Sequence, residues 1–105
     1  MVNDGSLKRL EALLTLSIVL RLSEKTKRVV ARHIKNHKTL LTLCDGTNTL
    51  TQIASKSGKD KGNLSRLFQR LEDLGLIYVA ETRGREKYYK LTLPLEILEE
   101  GLISE

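Results

Sequence analysis

Polar and cationic side chains recur at helical spacing along residues 60–74, opposite a stripe of apolar ones. At 100° per residue, the side away from the apolar stripe carries Gly62, Ser65, Arg66 and Gln69, flanked by Asn63 and Arg70. Amides pair with adenine edges, guanidinium groups pair with guanine edges or phosphates, and a glycine lets the backbone approach closely. A merely solvated face more often carries Glu and Lys pairs, whereas this one has no acid before Glu72. The pattern therefore predicts contacts to DNA bases.

The element that carries this face is predicted to be the second helix of a helix-turn-helix at residues 50–76. Its apolar stripe follows the three-and-four spacing of a helix with one buried side: Leu64, Leu67, Phe68, Leu71 and Leu74. Asp60 is expected to cap this helix, and Gly75 to end it. The preceding helix is expected to begin at Thr51 as its N-cap, to bury Ile53 and Ala54, and to end at Gly58.

A β-hairpin is predicted after the second helix, because residues 77–82 and 87–93 alternate in polarity around the loop Arg83-Gly84-Arg85-Glu86. A loop of odd length centred on Gly84 keeps the apolar side chains of both strands on one face. That register makes three cross-strand pairs: Ile77 with Leu91, Val79 with Tyr89, and Glu81 with Lys87. An even loop would set Val79 opposite Lys90 and mix the faces, so we expect the odd loop.

The remaining elements are predicted to be short. Residues 47–50 suffice for one edge strand, and the strongly basic segment 23–44 forms either one helix or two with a bend near Asn36. Pro94 is expected to start a last short helix within the acidic segment 94–105. The predicted fold class is therefore mainly α with a small β-hairpin, in a single domain spanning residues 1–105.

An N-terminal helix is predicted at residues 6–22, with Ser6 as its cap. Its apolar residues cover more than one face, which is more than so small a chain can bury. The helix is either packed within one chain or forms the seam of a homodimer, and we favour the seam. Six leucines are expected at that interface: Leu7, Leu10, Leu13, Leu14, Leu16 and Leu20.

The charge distribution supports a nucleic-acid partner. The formal net charge is +5, but residues 23–70 hold eleven Lys and Arg against three Asp and Glu, while residues 71–105 hold four against eight. The cations thus precede and include the helix-turn-helix, as an electrostatic footprint for DNA would. The acidic end of the chain is not expected to touch phosphates.

Catalysis and metal binding are not predicted. His33 and His37 have the spacing of two ligands on one helix, yet Cys44 shares an apolar stripe and no carboxylate completes a set. There is no Ser/His/Asp set, carboxylate pair or phosphate loop, so we expect neither an enzyme nor a cofactor. One cysteine suits a reducing compartment. The apolar, uncharged run 12–20 is too short to span a bilayer and lacks a cleavage site, so a cytoplasmic, nucleoid-associated protein is expected.

The chain resembles the winged helix-turn-helix superfamily over about residues 35–92, most closely the small bacterial and archaeal regulators of the MarR, ArsR and PadR type. The most specific residues of the resemblance are Ile53-Ala54, Gly58, Asn63-Leu64-Ser65-Arg66 and Leu71-Glu72-Asp73-Leu74-Gly75-Leu76-Ile77. The resemblance implies a recognition helix at 60–74 in the major groove, a wing at 82–87 on the backbone or minor groove, and usually a dimer. The metal-binding cysteine motif of the ArsR type is absent, so metal sensing is not expected.

Twelve residues are expected to contact DNA: Thr51, Lys59, Lys61, Gly62, Asn63, Ser65, Arg66, Gln69, Arg70, Arg83, Arg85 and Lys87. Three alternative functions are considered for a chain with these residues. The first is a sequence-specific, dimeric transcriptional regulator, most simply a repressor. The second is a DNA-binding adaptor with protein partners, such as a plasmid-partition, replication accessory or nucleoid protein. The third, a winged helix used only for protein contacts, is disfavoured by the polar and basic face.

Overall fold

The computed structural model describes residues 4–102, with side chains described for residues 5–100. The predicted single domain spans residues 1–105, and of these residues 1–3 and residues 103–105, the end of the acidic segment, lie outside the described part. The elements follow in the order α1 (Asp4–Leu22), α2 (Glu24–Asn36), α3 (Lys38–Thr42), β1 (Asp45–Thr49), α4 (Leu50–Ser57), α5 (Lys61–Asp73), β2 (Ile77–Arg83), β3 (Glu86–Leu91) and α6 (Leu95–Leu102). Helices dominate and the sheet is small and antiparallel, which confirms the predicted mainly α class with a β-hairpin.

The sheet has the order β1-β3-β2, so the hairpin strand β3 is central and β1 is an edge strand. Near the core the predicted register is confirmed, with Ile77 opposite Leu91 and Val79 opposite Tyr89. Both pairs carry apolar side chains that must share the buried face, which fixes the register there.

Further from the core, the predicted odd loop is wrong. The register shifts between Val79 and Glu81, so that Glu81 lies opposite Tyr88 instead of Lys87, and Arg83 lies opposite Glu86. The loop is consequently the two residues Gly84 and Arg85. Gly84 has φ 61, and a glycine with positive φ at the first of two loop positions is typical of a type II′ hairpin turn.

The basic segment 23–44 forms two helices that meet at His37, whose φ of −122° and ψ of 29° interrupt the helical path. Ser23 caps α2, because its hydroxyl accepts a hydrogen bond of 3.1 Å from the backbone N–H of Thr26. The bend lies one residue after Asn36, where the sequence allowed one. It lets α3 run into β1 with a direction different from that of α2.

The N-cap of α4 is Thr49, and the prediction of Thr51 is wrong. The hydroxyl of Thr49 accepts a hydrogen bond from the backbone N–H of Gln52 at 3.3 Å, and the side chain of Gln52 accepts one from the N–H of Thr49 at 2.8 Å. This reciprocal arrangement is a capping box. Thr51 lies in the first turn with its side chain exposed. At the other end Gly58 has φ 70, which confirms its predicted role as the C-terminal stop.

Helix α1 begins at Asp4, two residues before the predicted cap Ser6. One side of it joins the core through Ala12 and Leu16, with Leu20 packed partly buried beside them. The opposite side is exposed. The core beneath α1 is built from α2, α3, α4, α5 and the hairpin strands. It includes Val30, Ile34, Leu41, Ile53, Leu64, Phe68, Leu71, Leu76, Ile77, Val79 and Tyr89.

Candidate nucleic-acid interface

Helix α5 presents the polar face that the sequence predicted. Its buried residues are Leu64, Phe68 and Leu71, and Leu67 is half-buried. The predicted contact residues on this helix are all exposed: Lys61, Gly62, Asn63, Ser65, Arg66, Gln69 and Arg70. The buried stripe and the polar face thus divide the helix as amphipathic spacing requires.

Three features hold α5 in place. The carboxylate of Asp60 accepts a hydrogen bond of 3.0 Å from the backbone N–H of Asn63 and so caps the helix as predicted. The ring of Phe68 meets that of Tyr89 edge to face, with centroids 4.9 Å apart, which ties the helix to the central strand β3. At the C-terminal end Gly75 has φ 79 and lies against α1. The polar face therefore stands on a rigid support.

Side chains on the face are hydrogen-bonded to one another. Arg66 Nη1 donates to Asn63 Oδ1 at 3.3 Å, and Gln69 Nε2 donates to Asp73 Oδ1 at 3.1 Å. The first bond leaves the amide nitrogen of Asn63 and the rest of the guanidinium free to pair with base edges. Asp73, which is not among the twelve predicted contact residues, places an acid at the C-terminal end of the face.

Gly62 has a local structural role. A Cβ atom added there would lie 3.2 Å from Asp60 Oδ2, the oxygen that caps α5. The contact is tighter than ordinary van der Waals distance. Glycine at this position therefore leaves room for the cap, whether or not a DNA backbone also approaches it.

A cleft of about 280 Å³ brings together predicted contact residues that are far apart in the chain. Its lining includes Thr51 from α4, Lys61 from α5, and Arg85 and Lys87 from the hairpin. Three cations thus line a single concave space, in which Glu86 is the acid. Tyr89 also lines this cleft. The alternation of residues in β3 predicted Tyr89 as a core residue but did not place it at this site.

The two arginines at the hairpin tip differ in their surroundings. Arg83 Nε pairs with Glu81 Oε1 at 3.0 Å, and its guanidinium lies 5.5 Å from the centre of the Tyr88 ring. The hydrogen bond with Glu81 raises the pKa of Arg83. Arg85 instead faces the cleft with Lys61 and Lys87. Part of the charge of Arg83 is therefore already compensated within the hairpin.

Lys59, in the turn between α4 and α5, is exposed and lines a second cleft of about 240 Å³ with His37 and Asn63. The spacing of His33 and His37 suggests only a metal site, and no signal in the sequence places them beside α5. Among residues 5–100, no group of three or more His, Cys, Asp or Glu side chains is placed to hold a metal ion.

Cys44 is buried in the core, where its Sγ donates weakly to the carbonyl oxygen of Leu40 at 3.5 Å. Burial, followed by the nearby Asp45 carboxylate, raises its thiol pKa from 9.0 to about 12. The thiol is consequently protonated and unreactive at neutral pH.

Of the six leucines expected at a dimer seam, three lie on the exposed side of α1: Leu7, Leu10 and Leu14 are 48%, 56% and 65% exposed. Leu16 is only 2% exposed and cannot contribute to an interface, because it packs in the core of its own chain. Leu13 and Leu20 are half-buried on the same side as Leu16. The exposed stripe continues instead through Ile18 and Leu22, which the prediction omitted.

Comparisons with protein-family models, with curated proteins and with solved structures each find no match to this chain. No helix among residues 4–102 is long and apolar enough to cross a membrane. The assignment of a function therefore depends on the geometry of the α5 face and of the clefts beside it.

Proposed function

We propose that the chain is a sequence-specific double-stranded DNA-binding protein of the winged helix-turn-helix class, acting as a transcriptional regulator. Helix α5 enters the major groove, and the β2–β3 hairpin is the wing, which lies on the backbone or minor groove. The observation that carries this proposal is the exposed face of α5, where Asn63, Arg66 and Gln69 lie opposite the buried residues Leu64, Phe68 and Leu71. Amide and guanidinium groups are the side chains that read base edges most often.

The order of the elements supports the class. A helix, a short strand, two helices joined by the turn at 58–60, and a hairpin succeed one another from α3 to β3. In a helix-turn-helix the second helix reads the major groove while the first crosses the backbone. The cleft that joins Thr51, Lys61, Arg85 and Lys87 lies between those helices and the hairpin, where cations would neutralise phosphates flanking the groove.

A homodimer through α1 completes the proposal. The stripe of Leu7, Leu10, Leu14, Ile18 and Leu22 follows one side of the helix with spacings of three and four residues. Its copy across a two-fold axis would cover this apolar surface, as isologous interfaces do. Two α5 helices related by such an axis would read an inverted repeat with half-sites about one DNA turn apart, roughly 34 Å.

The test begins with a selection of duplexes from a randomised pool by the intact protein. Binding of the selected duplex and of a scrambled one is then measured for Asn63→Ala, Arg66→Ala and Gln69→Ala. Each substitution is expected to cost about 1–3 kcal/mol on the selected duplex and little on the scrambled one. Arg21→Ala, which removes an exposed guanidinium from α1, is the matched control and should leave the preference unchanged.

The outcomes separate the competing functions. An enriched inverted repeat supports a dimeric regulator, whereas tight binding that spreads along any duplex supports an adaptor or nucleoid protein. Equal losses on both duplexes would mean that the three side chains contact only phosphates. No binding to either duplex would refute the proposal.

A further inference from the structure

The two histidines of the chain form a stacked pair beside the polar face of α5. Their ring centroids are 5.7 Å apart with an interplanar angle of 26°, and both residues are half-buried, His33 on α2 and His37 as its C-cap. His37 lines the cleft of about 240 Å³ whose other wall is the flank of α5, including Asn63, Leu64 and Leu67. The pair is thus adjacent to a residue proposed to read bases.

The charged groups that face the pair are nearly all cations. Arg70 of α5 and Arg32 of α2 act on His33, and Lys59 of the turn acts on His37. Asp60 is the acid in the lining of the cleft, and its carboxylate is already engaged in capping α5. Among the described residues that line the cleft or act on the two imidazoles, the cations thus outnumber the acids.

Lys38, which follows His37 in the chain, is already paired with an acid of α6. Lys38 of α3 forms an ion pair of 3.2 Å with Glu99 of α6. Glu99 is therefore not available to compensate the cations around the histidines.

The folded protein disfavours protonation of both imidazoles. Burial lowers the pKa of His33, and the charges of Arg70 and Arg32 lower it further. Burial also lowers the pKa of His37, and the charges of His33 and Lys59 lower it further. An anion in the cleft would reverse this balance. It would accept hydrogen bonds from protonated imidazoles and complement the surrounding cations at the same time.

We propose that this cleft, which His37, Lys59 and Asn63 line and beside which His33 stacks on His37, is a binding site for a phosphodiester of the DNA backbone, which the histidine pair contacts in its protonated form. The inference rests on the proposed function, because DNA is the ligand. Asn63 belongs both to the cleft and to the base-reading face of α5. A strand whose bases meet that face consequently passes the cleft, and DNA binding becomes stronger as the pH falls.

The test measures the affinity of the intact protein for a mixed-sequence 24-base-pair duplex between pH 7.5 and pH 5.5, by fluorescence anisotropy at several salt concentrations. The wild-type affinity is expected to rise by roughly three- to tenfold over this range, with a steeper salt dependence at pH 5.5. In the His33→Gln/His37→Gln variant most of this rise should disappear. Lys25→Gln, which removes a charge from the distant first turn of α2, is the control and should retain the pH dependence.

A second measurement does not depend on the variants. The imidazole proton resonances of the wild-type protein are titrated alone, with the duplex, and with inorganic phosphate. The duplex should raise both imidazole pKa values, and inorganic phosphate should raise them much less. A shift as large with inorganic phosphate would overturn the inference in favour of a site for a small anion.

The two proposals fail in different ways. If the duplex binds but neither shifts the imidazole resonances nor shows a pH dependence that the double variant loses, this inference is overturned while the proposed function stands. If no duplex, selected or mixed, binds at any pH, the proposed function itself has failed.

Discussion

A Cβ atom on Gly75 would lie 2.5 Å from the carbonyl oxygen of Ala12, a distance too short for any side chain at this position without a shift of the backbone. The same atom would lie 2.6 Å from the backbone nitrogen of Leu16. The turn that ends α5 thus packs directly on the backbone of α1, with no side chain between them. Because this contact is backbone on backbone, it leaves no room for a side chain between α1 and the turn that follows α5.

Gly75→Ala is expected to destabilise the protein by more than Gly58→Ala. Both glycines have positive φ, 79 and 70 respectively, so both substitutions impose about 1–2 kcal/mol of left-handed backbone strain. At Gly58 nothing lies within 4 Å of an added Cβ, whereas at Gly75 α1 must move, at a further cost of about 1–3 kcal/mol. Urea unfolding measures both. Equal losses would show that α1 does not pack on this turn.

The capping box predicts a difference between two neighbouring threonines. Thr49→Ala should lower the free energy of unfolding by about 1 kcal/mol, because it removes the acceptor of the Gln52 N–H. Thr51→Ala should change it by less than about 0.5 kcal/mol, since that side chain is exposed within the first turn. Chemical denaturation distinguishes them, and a larger loss for Thr51→Ala would place the helix start where the sequence predicted it.

The N-cap of α4, which is Thr49 and not the predicted Thr51, illustrates what the sequence could and could not predict. Thr49 and Thr51 both suit an N-cap by residue type, and only the position of β1 decides between them. The α5 face was predictable because period and burial are local properties of a helix. The hairpin register was predictable near Val79, where burial constrains it, but not near Glu81, where exposed side chains leave the register free to shift.

The clefts could not be predicted, because each depends on how separate elements pack. Lys61 and Arg85 line one cleft only because β3 packs against Phe68 through Tyr89. His37 meets Lys59 only because α2 ends beside the turn at 58–60. Sequence spacing predicted the cations themselves but not which of them share a surface.

Arg85→Ala should weaken binding to mixed-sequence DNA more than Arg83→Ala. The Glu81 carboxylate, 3.0 Å from Arg83 Nε, already compensates part of the charge that Arg83 would offer to a phosphate. The slope of log K against log salt should therefore fall by about one for Arg85→Ala and by less for Arg83→Ala. In a Glu81→Gln background the two losses should become similar. Unchanged slopes in all variants would mean that the hairpin does not contact DNA.

The exposed side of α1 can be tested without disturbing the core. Leu10→Gln with Leu14→Gln changes two side chains that are 56% and 65% exposed, so the folded chain should tolerate both. If α1 forms the dimer interface, sedimentation at micromolar concentration should show a dimer for the wild type and a monomer for the variant. Affinity for an inverted repeat should then fall more than affinity for random DNA.

The buried side of α1 supplies the control for that experiment. Leu16→Ala should instead lower the free energy of unfolding by about 2–5 kcal/mol, because the side chain is 2% exposed. A wild-type protein that sediments as a monomer, or a Leu10→Gln/Leu14→Gln variant that remains a dimer, would place the interface elsewhere, with α6 and its exposed Ile97 as the next surface to test.

Without DNA, the stability of the chain should fall as the pH falls from 7.5 to 5.5. The pKa values of His33 and His37 are lowered from 6.5 in the folded state, so below pH 6.5 the unfolded chain binds more protons than the folded one. Their contribution to the free energy of unfolding is therefore complete above pH 6.5 and is lost as the pH falls through the folded pKa values.

Glu72 shifts in the opposite sense, because burial raises its pKa from 4.5, and its protonation at low pH favours the folded state. The comparison of wild type with His33→Gln/His37→Gln cancels that contribution, since Glu72 is present in both. Thermal melts followed by circular dichroism should show a melting temperature that falls with pH more steeply in the wild type than in the double variant. Parallel curves would mean that the folded protein does not disfavour protonation of this pair, and the electrostatic basis of a proton-dependent phosphate site would be lost with it.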